Sequence, residues 1–299
     1  MSSPVWSRLI RFIAAEDGQV HLGEPTGASS DDVGLAVSRG EQIVVQELSG
    51  SSAWDPTMKR TGRELTVKTL LSPVDPDQAG TLRCIGVNYA DHTAELKLDV
   101  PDVPSLFLKA PEAISDPNSK ILVHPTCQDN QVDWEVELAI VIGRKCRDVS
   151  EEDALDYVLG VTVANDITAR RHQKTSSQWC YGKGISDGLH WASFDGFCPL
   201  GPSIVAIGSI KDVQDLRLKT TVNGVVKQNS TTKHMIFPVA KIISYLSQGT
   251  TLRPGTVVIT GTPLGIGIGL NPPEWLKNGD EVVVSVDGVG SLFNQIVYA

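Results

Sequence analysis

Short apolar runs separated by turn residues dominate the first quarter of the chain. Residues 9–15 form an apolar segment that is followed by the turn dipeptide Asp17-Gly18, and the apolar runs 34–37 and 43–45 lie on either side of Arg39-Gly40. Short apolar runs bounded by such dipeptides are typical of strands joined by tight turns. The pattern predicts a small β-rich N-terminal domain over residues 1–75.

The remainder of the chain has the same alternation with fewer interruptions. Residues 71–77 contain two prolines and two aspartates and are the best linker candidate, so we place a domain boundary near residue 76 and a second domain at 76–299. Strand-like runs outnumber the helical segments, which are predicted at 89–97, 151–155 and 238–247. The expected fold class is α+β with strands in the majority.

Carboxylates alternate along one of these predicted strands. In residues 132–143, Asp133, Glu135 and Glu137 fall on one face because residues two apart on a strand point the same way, and the other face is apolar throughout. Carboxylates that enter a core together are costly unless a cation lies between them. Glu135 and Glu137 are therefore candidate oxygen ligands for a hard divalent ion such as Mg²⁺. The alternative is a solvated acidic end of the strand.

Two further segments carry candidate chemistry. Asp166 follows the apolar run 161–164, where it is either a third ligand or the N-cap of a following helix. His92 and Glu95 are three residues apart in a predicted helix and so share a face. A carboxylate beside an imidazole orients it and raises its basicity, which suits a general base acting on water, although a surface pair is the simpler alternative.

The amino-acid composition indicates which kinds of molecule the protein can bind. Of the 299 residues 41% are hydrophobic and 20% charged, which is a globular balance, and the formal net charge of −9 argues against a nucleic-acid-binding surface. The uncharged stretch at 254–273 is interrupted by glycines and prolines, so no membrane segment is predicted. Five cysteines without a C-x-x-C pair indicate a reducing compartment, and we expect a cytoplasmic protein with a small-molecule partner.

Six short motifs occur in order along residues 80–299, and together they resemble the fumarylacetoacetate hydrolase family. They are Gly86-x-Asn88-Tyr89-x-x-His92-x-x-Glu95, Phe107-x-Lys109, Glu135-x-Glu137-Leu138-Ala139, Asn165-Asp166-x-x-Ala169-Arg170, Thr232-x-x-Met235-Ile236-Phe237 and Thr260-Gly261-Thr262-Pro263-x-Gly265. The resemblance implies a mixed β-roll with a small N-terminal part, a homodimer, and activity on small 2-oxo or 1,3-diketo acids.

The resemblance also assigns roles to individual residues. It implies that Glu135, Glu137 and Asp166 hold Mg²⁺ or Mn²⁺, with Ca²⁺ as a further option, and that His92 and Glu95 activate water. It implies that four more residues face the substrate, of which Lys183 joins the catalytic group: Arg170, Gln173, Lys183 and Thr262.

The sequence departs from the family pattern at two places. Residues 184–192 form an insertion after Lys183, which either displaces that lysine or adds a loop over the pocket. Val87 stands where the acylpyruvase and oxaloacetate decarboxylase members carry arginine, so a substrate that is larger or less charged than a compact dicarboxylate is favoured. Residues 265–269 are rich in glycine, but they lack the strand-to-helix context of a phosphate loop and are predicted to form a loop at the pocket edge.

The predicted function is that of a divalent-metal-dependent enzyme that breaks a C–C bond next to a metal-stabilised enolate, by hydrolysis or by decarboxylation. An enol–keto isomerase would use the same residues and stays open as an alternative. A non-catalytic binding protein on the same scaffold is the rival from another class.

Overall fold

The computed structural model describes residues 4–175, 183 and 194–299. Its strands are β1 (Arg8–Ala14), β2 (Val20–Pro25), β3 (Val44–Ser49), β4 (Lys59–Leu71), β5 (Leu82–Gly86), β6 (Ser105–Lys109), β7 (Ile114–Ser115), β8 (Lys120–Val123), β9 (Val132–Asp133), β10 (Val136–Ile142), β11 (Val158–Asn165), β12 (Thr168–Ala169), β13 (Cys198–Ala206), β14 (Arg217–Val222), β15 (Val225–Thr231), β16 (Val257–Ile259), β17 (Glu281–Val286) and β18 (Gly290–Tyr298).

The α-helices among the described residues are short. They are α1 (Val33–Ser38), α2 (Pro76–Ala79), α3 (Ala90–Leu96), α4 (Arg170–Gln173) and α5 (Val239–Ser247). Single 3-10 turns occur at Ala28–Ser30, Pro111–Ala113, Pro125–Cys127, Ala154–Tyr157, Ile207–Ser209, Thr232–His234 and Gly267–Gly269. The predicted excess of strands over helices is confirmed. None of the helices in the described part of the chain is both long and apolar enough to span a bilayer.

The strands form one large mixed sheet and two smaller ones. Ten strands of the large sheet follow the order β2-β3-β4-β1-β13-β11-β10-β16-β5-β6, with β7 paired to β13, and a five-stranded sheet has the order β15-β14-β17-β18-β8. Most neighbours are antiparallel, but β16 runs parallel to β5, β7 to β13 and β8 to β18. Because β1 pairs with both β4 and β13, the large sheet contains strands from both sides of residue 76. The domain boundary placed there stays a prediction.

The two faces of β10 pack against different cores. Trp134, Val136 and Leu138 belong to the main apolar cluster between the sheets, whereas Ala139 and Val141 belong to a second cluster. This separation follows the predicted alternation. The strand is interrupted, however, since Trp134 and Glu135 lie between β9 and β10.

Two local predictions were wrong. The apolar run 34–37 is predicted as a strand but lies within helix α1, which the Asp32 carboxylate caps by accepting from Leu35 N. The predicted helix at 151–155 is instead the 3-10 turn Ala154–Tyr157. The other two predicted helices are present as α3 and α5.

Candidate active site

A cavity of about 500 Å³ opens beside β10 and α3. Seven of the nine side chains that the sequence singled out line it: His92, Glu135, Glu137, Arg170, Gln173, Lys183 and Thr262. The other two, Glu95 and Asp166, lie directly behind this lining, where Glu95 contacts His92 and Asp166 contacts Lys183. Residues distant in sequence are thus brought to one place by the sheet.

Three carboxylates meet at the base of the cavity. Antiparallel pairing sets Val136 opposite Asn165, so Glu135 just before β10 and Glu137 within it meet Asp166, which directly follows β11. One carboxylate oxygen from each residue lies within 4.8 Å of the others, and all three residues are buried. Asp166 is not a helix N-cap, because α4 begins four residues later behind Ala169. Glu135 is not at a solvated strand end either.

Each carboxylate of this acidic triad has one oxygen in contact with a donor from outside it. The Lys109 ammonium donates to Oδ1 of Asp166 at 2.5 Å. The Arg170 guanidinium forms an ion pair with Oε1 of Glu135 at 2.6 Å. The amide of Gly261 donates to Oε2 of Glu137.

Lys183 lies among the remaining oxygens. Its ammonium donates to Oε2 of Glu135 at 2.7 Å and also to Oδ2 of Asp166, and it lies 4.8 Å from the centre of the Phe107 ring. Burial lowers the pKa of Lys183, but the charges of Asp166 and Glu135 outweigh burial, and the net direction is upward. The lysine is therefore a charged member of the cluster. The insertion at 184–192 lies outside the described residues.

The two glutamates have opposite electrostatic surroundings. Burial raises the pKa of Glu135, but Lys183, Arg170 and His92 more than offset this and the pKa is lowered. For Glu137, burial and the nearby charges of Asp166 and Glu135 raise the pKa well above its usual range. The triad thus combines three hard oxygen donors with incompletely compensated negative charge, and this donor set fits a divalent ion. The buried acidic triad could bind a metal.

Helix α3 presents the predicted His–Glu pair to the cavity. Nδ1 of His92 lies 3.2 Å from Oε2 of Glu95, and the amide of Gly265 donates to Oε1 of Glu95 at 2.9 Å. An ionised carboxylate only accepts, so this contact places the proton of a neutral imidazole on Nδ1 and leaves Nε2 with a lone pair. The arrangement can accept a proton.

The Arg170 guanidinium is held at both ends by carboxylates of the protein. Its Nε donates to Oδ2 of Asp133 at 2.8 Å while the other end of the guanidinium meets Glu135. The Asp133 carboxylate also accepts from the amides of Gly267 and Ile268. Asp133 therefore joins the glycine-rich loop, which does lie at the pocket edge, to Arg170. Gln173 accepts from Arg170 NH1 at 3.3 Å and extends this row toward the cavity.

Thr262 is fixed by a fully buried glutamine. Its hydroxyl donates to the carbonyl of Val136 at 2.9 Å and accepts from Nε2 of Gln228 at 2.8 Å. Gln228 also donates to the carbonyl of Pro263 and accepts from Val136 N and the Thr220 hydroxyl. All four hydrogen-bonding positions of the Gln228 amide are used, so it holds Thr262 against β10.

Sequence reasoning missed the supporting residues Lys109, Gln228 and Gly261. Lys109 and Gly261 belong to motifs of the family resemblance, but nothing in their own segments indicates that they contact Asp166 and Glu137. Val87, which was noted as a departure, lines the cavity and has a φ of 57°. A β-branched residue rarely adopts this left-handed conformation, so the backbone at the cavity wall is strained.

Comparison with known proteins agrees with this geometry. A family model described as fumarylacetoacetate (FAA) hydrolase C-terminal matches residues 81–297. The chain belongs to the fumarylacetoacetate hydrolase family. Curated members of this family include caffeoylpyruvate hydrolase of Neonothopanus nambi, which is 42% identical over 98% of this chain and 94% of its own length. The mitochondrial oxaloacetate tautomerase FAHD2A of Bos taurus is 37% identical over 97% and 91%.

Solved structures show the same family fold. The 2-hydroxyhepta-2,4-diene-1,7-dioate isomerase from Mycobacterium marinum superposes with a TM-score of 0.77 at 34% identity, covering 98% of each chain. The 5-carboxymethyl-2-hydroxymuconate delta-isomerase from Mycobacterium smegmatis gives a TM-score of 0.78 at 33% identity, covering 98% of this chain and 100% of the other. The predicted β-rich family fold is confirmed.

Proposed function

We propose that this chain is a divalent-metal-dependent hydrolase that cleaves the C3–C4 bond of a 2,4-dioxo acid, in which one carbonyl belongs to a 2-oxo acid and the other carries an apolar substituent. The observation that carries the proposal is the position of the His92–Glu95 pair beside the acidic triad in one cavity. Mg²⁺ or Mn²⁺ is the proposed ion, held by Glu135, Glu137 and Asp166.

The residues divide the work as follows. A divalent ion bound at the triad would stabilise negative charge on the oxygens of the substrate. Nε2 of His92 takes a proton from water, whose oxygen attacks the C4 carbonyl. The C3–C4 bond then breaks, its electron pair stays on C3, and the proton returns there from His92. The products are a carboxylic acid and a 2-oxo acid.

Glu95 and Lys183 stabilise charges that form during the reaction and take no direct part in making or breaking bonds. The imidazole becomes positive when it accepts the proton, and the Glu95 carboxylate behind Nδ1 stabilises that charge. The ammonium of Lys183 lies beside the triad and can meet an anionic oxygen of the substrate, and Arg170, Gln173 and Thr262 line the same cavity.

The apolar part of the cavity wall supports the substrate class. Val87, Leu96, Leu98 and Ile268 line the cavity together with the charged groups. An apolar wall favours an alkyl or aryl substituent on the substrate, and it offers no hydrogen-bond donor or positive charge to a second carboxylate. A 42% identical relative is named a caffeoylpyruvate hydrolase, which is compatible with such a substituent.

Enol–keto tautomerisation is the second candidate. It needs only the proton transfer by His92, and relatives that are 37% and 36% identical are named oxaloacetate tautomerases. The homodimer stays a prediction. Cytoplasmic location also stays a prediction, since several relatives carry names that assign them to mitochondria.

The test uses the purified protein with Mg²⁺, in water enriched in ¹⁸O, and three substrates: an alkyl 2,4-dioxo acid, an aryl 2,4-dioxo acid and oxaloacetate. Hydrolysis predicts release of a carboxylic acid that carries one ¹⁸O from the attacking water. Faster loss of the enol absorbance without a change in mass would identify a tautomerase instead. Loss of CO₂ from oxaloacetate would identify a decarboxylase, and no turnover of any substrate would contradict the proposal.

A further inference from the structure

The three triad carboxylates share a second property beyond their proximity. In each, one oxygen is occupied by a donor that is not part of the triad: Lys109 at Asp166 Oδ1, Arg170 at Glu135 Oε1, and the Gly261 amide at Glu137 Oε2. The donors come from three separate elements, namely β6, α4 and the loop after β16. Of the three remaining oxygens, Glu135 Oε2 and Asp166 Oδ2 contact the Lys183 ammonium, which donates to no backbone carbonyl among the described residues, and a divalent ion would reach the triad through this side.

Of the three donors, Lys109 has an ammonium whose hydrogen bonds are all made within the protein. Its side chain is fully buried, and besides Asp166 it donates to the carbonyls of Ile167 at 3.0 Å and Phe197 at 2.7 Å. An ammonium has three N–H donors, so all of them are used. Two of the three contacts are to backbone carbonyls, which hold the ammonium in place whatever Asp166 does. A divalent ion at Oδ1 of Asp166 would lie beside this fixed positive charge, so charge repulsion disfavours that oxygen as a ligand.

The size of a cation decides how many carboxylate oxygens it needs. Ca²⁺ takes six to eight oxygen ligands and often binds both oxygens of one carboxylate, whereas Mg²⁺ requires a near-octahedral shell of single oxygens and keeps several waters. A triad that offers one oxygen per carboxylate therefore suits Mg²⁺ better than Ca²⁺. It also leaves half of an octahedral shell for water or for the two chelating oxygens of a 2-oxo acid.

We propose that Lys109 is a positioning residue that sets metal-ion selectivity: together with Arg170 and the Gly261 amide it forces single-oxygen ligation by the triad and so favours Mg²⁺ or Mn²⁺ over Ca²⁺. This inference rests on the proposed function insofar as the triad must hold a divalent ion. It goes beyond it in assigning the discrimination between ions to a residue that is not itself a ligand.

The first test compares the dissociation constants of Mg²⁺, Mn²⁺ and Ca²⁺, measured by titration calorimetry on the metal-free enzyme. Lys109→Met removes the ammonium but keeps most of the side-chain volume, and it frees Oδ1 of Asp166. Loss of one positive charge strengthens binding of every divalent ion alike, so the ratio of the Ca²⁺ to the Mg²⁺ constant isolates the number of oxygens used. We expect this ratio to fall by roughly tenfold, within the range by which outer-shell partners change metal affinity.

Lys241→Met is the matched control. Lys241 is a partly exposed lysine paired with Glu151 at 2.7 Å, and its loss removes the same charge outside the cavity. We expect the ratio to stay at the wild-type value. An unchanged ratio in folded Lys109→Met would overturn the proposal.

A second measurement does not depend on whether Lys109→Met folds. Electron paramagnetic resonance of the wild-type Mn²⁺ enzyme in ¹⁷O-enriched water counts the waters bound to the ion, and three single-oxygen ligands predict three such waters. Fewer waters would indicate a carboxylate bound through both oxygens and overturn the selectivity proposal alone. Failure of Mg²⁺ and Mn²⁺ to bind the wild type at all would instead overturn the proposed function, and the selectivity proposal with it.

Discussion

The amide of Gly265 donates a hydrogen bond of 2.9 Å to Oε1 of Glu95. The other oxygen of this carboxylate lies 3.2 Å from Nδ1 of His92, so the glutamate is held between a loop and the imidazole that it orients. The side chains of His92 and Glu95 are both largely buried, so they do not form a solvated pair on the helix surface. In the proposed mechanism, an imidazole that is fixed in this way would need little reorganisation when it accepts a proton.

This pair gives the first prediction. His92→Ala should lower kcat for hydrolysis by at least ~10²–10⁴, the range typical of general-base catalysis, and Glu95→Gln should lower it in the same direction but less. The reason for the smaller effect is that the glutamine removes charge support but leaves the imidazole. Steady-state kinetics with a 2,4-dioxo acid would measure both. Near-normal hydrolytic turnover in both variants would exclude the pair from catalysis.

A glycine behind the pair gives the second prediction. A Cβ at Gly269 would lie 2.3 Å from the carboxyl carbon of Glu95, so Gly269→Ala must displace the glutamate. We expect kcat to fall toward the Glu95→Gln value, with a loss of about 1–3 kcal/mol in unfolding free energy from overpacking. Gly208→Ala is the control, because a Cβ there meets nothing within 4 Å. Equal kinetics in the two variants would show that the position of Glu95 does not matter.

The alternation of residues along 132–143 was enough to predict the strand that carries Glu137 and the apolar positions around it. Period-two patterning separates the Trp134 face from the Ala139 face, and the two faces do belong to different apolar clusters. The break at Trp134 and Glu135 could not be predicted in this way, since Glu135 N donates to the Asn165 side chain and Val136 N to the Gln228 side chain. Those partners are 30 and 92 residues away in sequence.

The supporting residues were unpredictable for the same reason. Lys109 and Gln228 each lie on a strand, where a lone polar residue ordinarily indicates a solvent-facing position. Their burial depends on strands that are remote in sequence, and only the assembled sheets bring Lys109 to Asp166 and Gln228 to Thr262. Helix α1 differs in kind, because a short apolar run carries no reliable period and the Asp32 cap decides the outcome.

The third prediction concerns the proposed metal ligands. A ligand that binds only the folded state stabilises it by about 2.7 kcal/mol at a hundredfold excess over Kd, so Mg²⁺ or Mn²⁺ should raise the Tm of the wild type. Glu137→Gln should abolish both this rise and activity. Glu151→Gln, which removes an exposed carboxylate paired with Lys241, should retain both. A full Tm rise in inactive Glu137→Gln would remove Glu137 from the set of ligands.

The fourth prediction concerns Gln228. Gln228→Leu removes the partner of the buried Val136 amide, the Thr220 hydroxyl and the Pro263 carbonyl, and each buried unpaired group costs about 1–3 kcal/mol. Denaturant unfolding should show a loss of at least about 2 kcal/mol, and KM should rise because Thr262 is no longer held. Gln46→Leu is the control, since its amide pairs with Glu64 at the surface. Unchanged stability in Gln228→Leu would contradict the network.

The last prediction concerns Lys183. Its ammonium donates hydrogen bonds to Oε2 of Glu135 and Oδ2 of Asp166, which are the carboxylate oxygens that Arg170 and Lys109 do not contact. A divalent ion at the triad must share these oxygens with a positive charge or displace it. Two unit charges about 4 Å apart at an effective dielectric constant of about 20 interact by about 4 kcal/mol, so removal of the lysine charge should strengthen metal binding.

Lys183→Met should therefore bind Mg²⁺ at least roughly tenfold more tightly, a gain of about 1.4 kcal/mol that is well below the Coulomb value. The same variant should lose turnover, because the group proposed to meet the anionic oxygen of the substrate is gone. This opposite movement of metal affinity and kcat distinguishes a substrate-facing lysine from a structural one. Titration calorimetry with Mg²⁺ and kinetics at saturating Mg²⁺ would measure the two effects, with Lys241→Met as the control. Weaker Mg²⁺ binding in Lys183→Met would mean that the lysine supports the ion, and the competition argued from its contacts with Glu135 and Asp166 would be wrong.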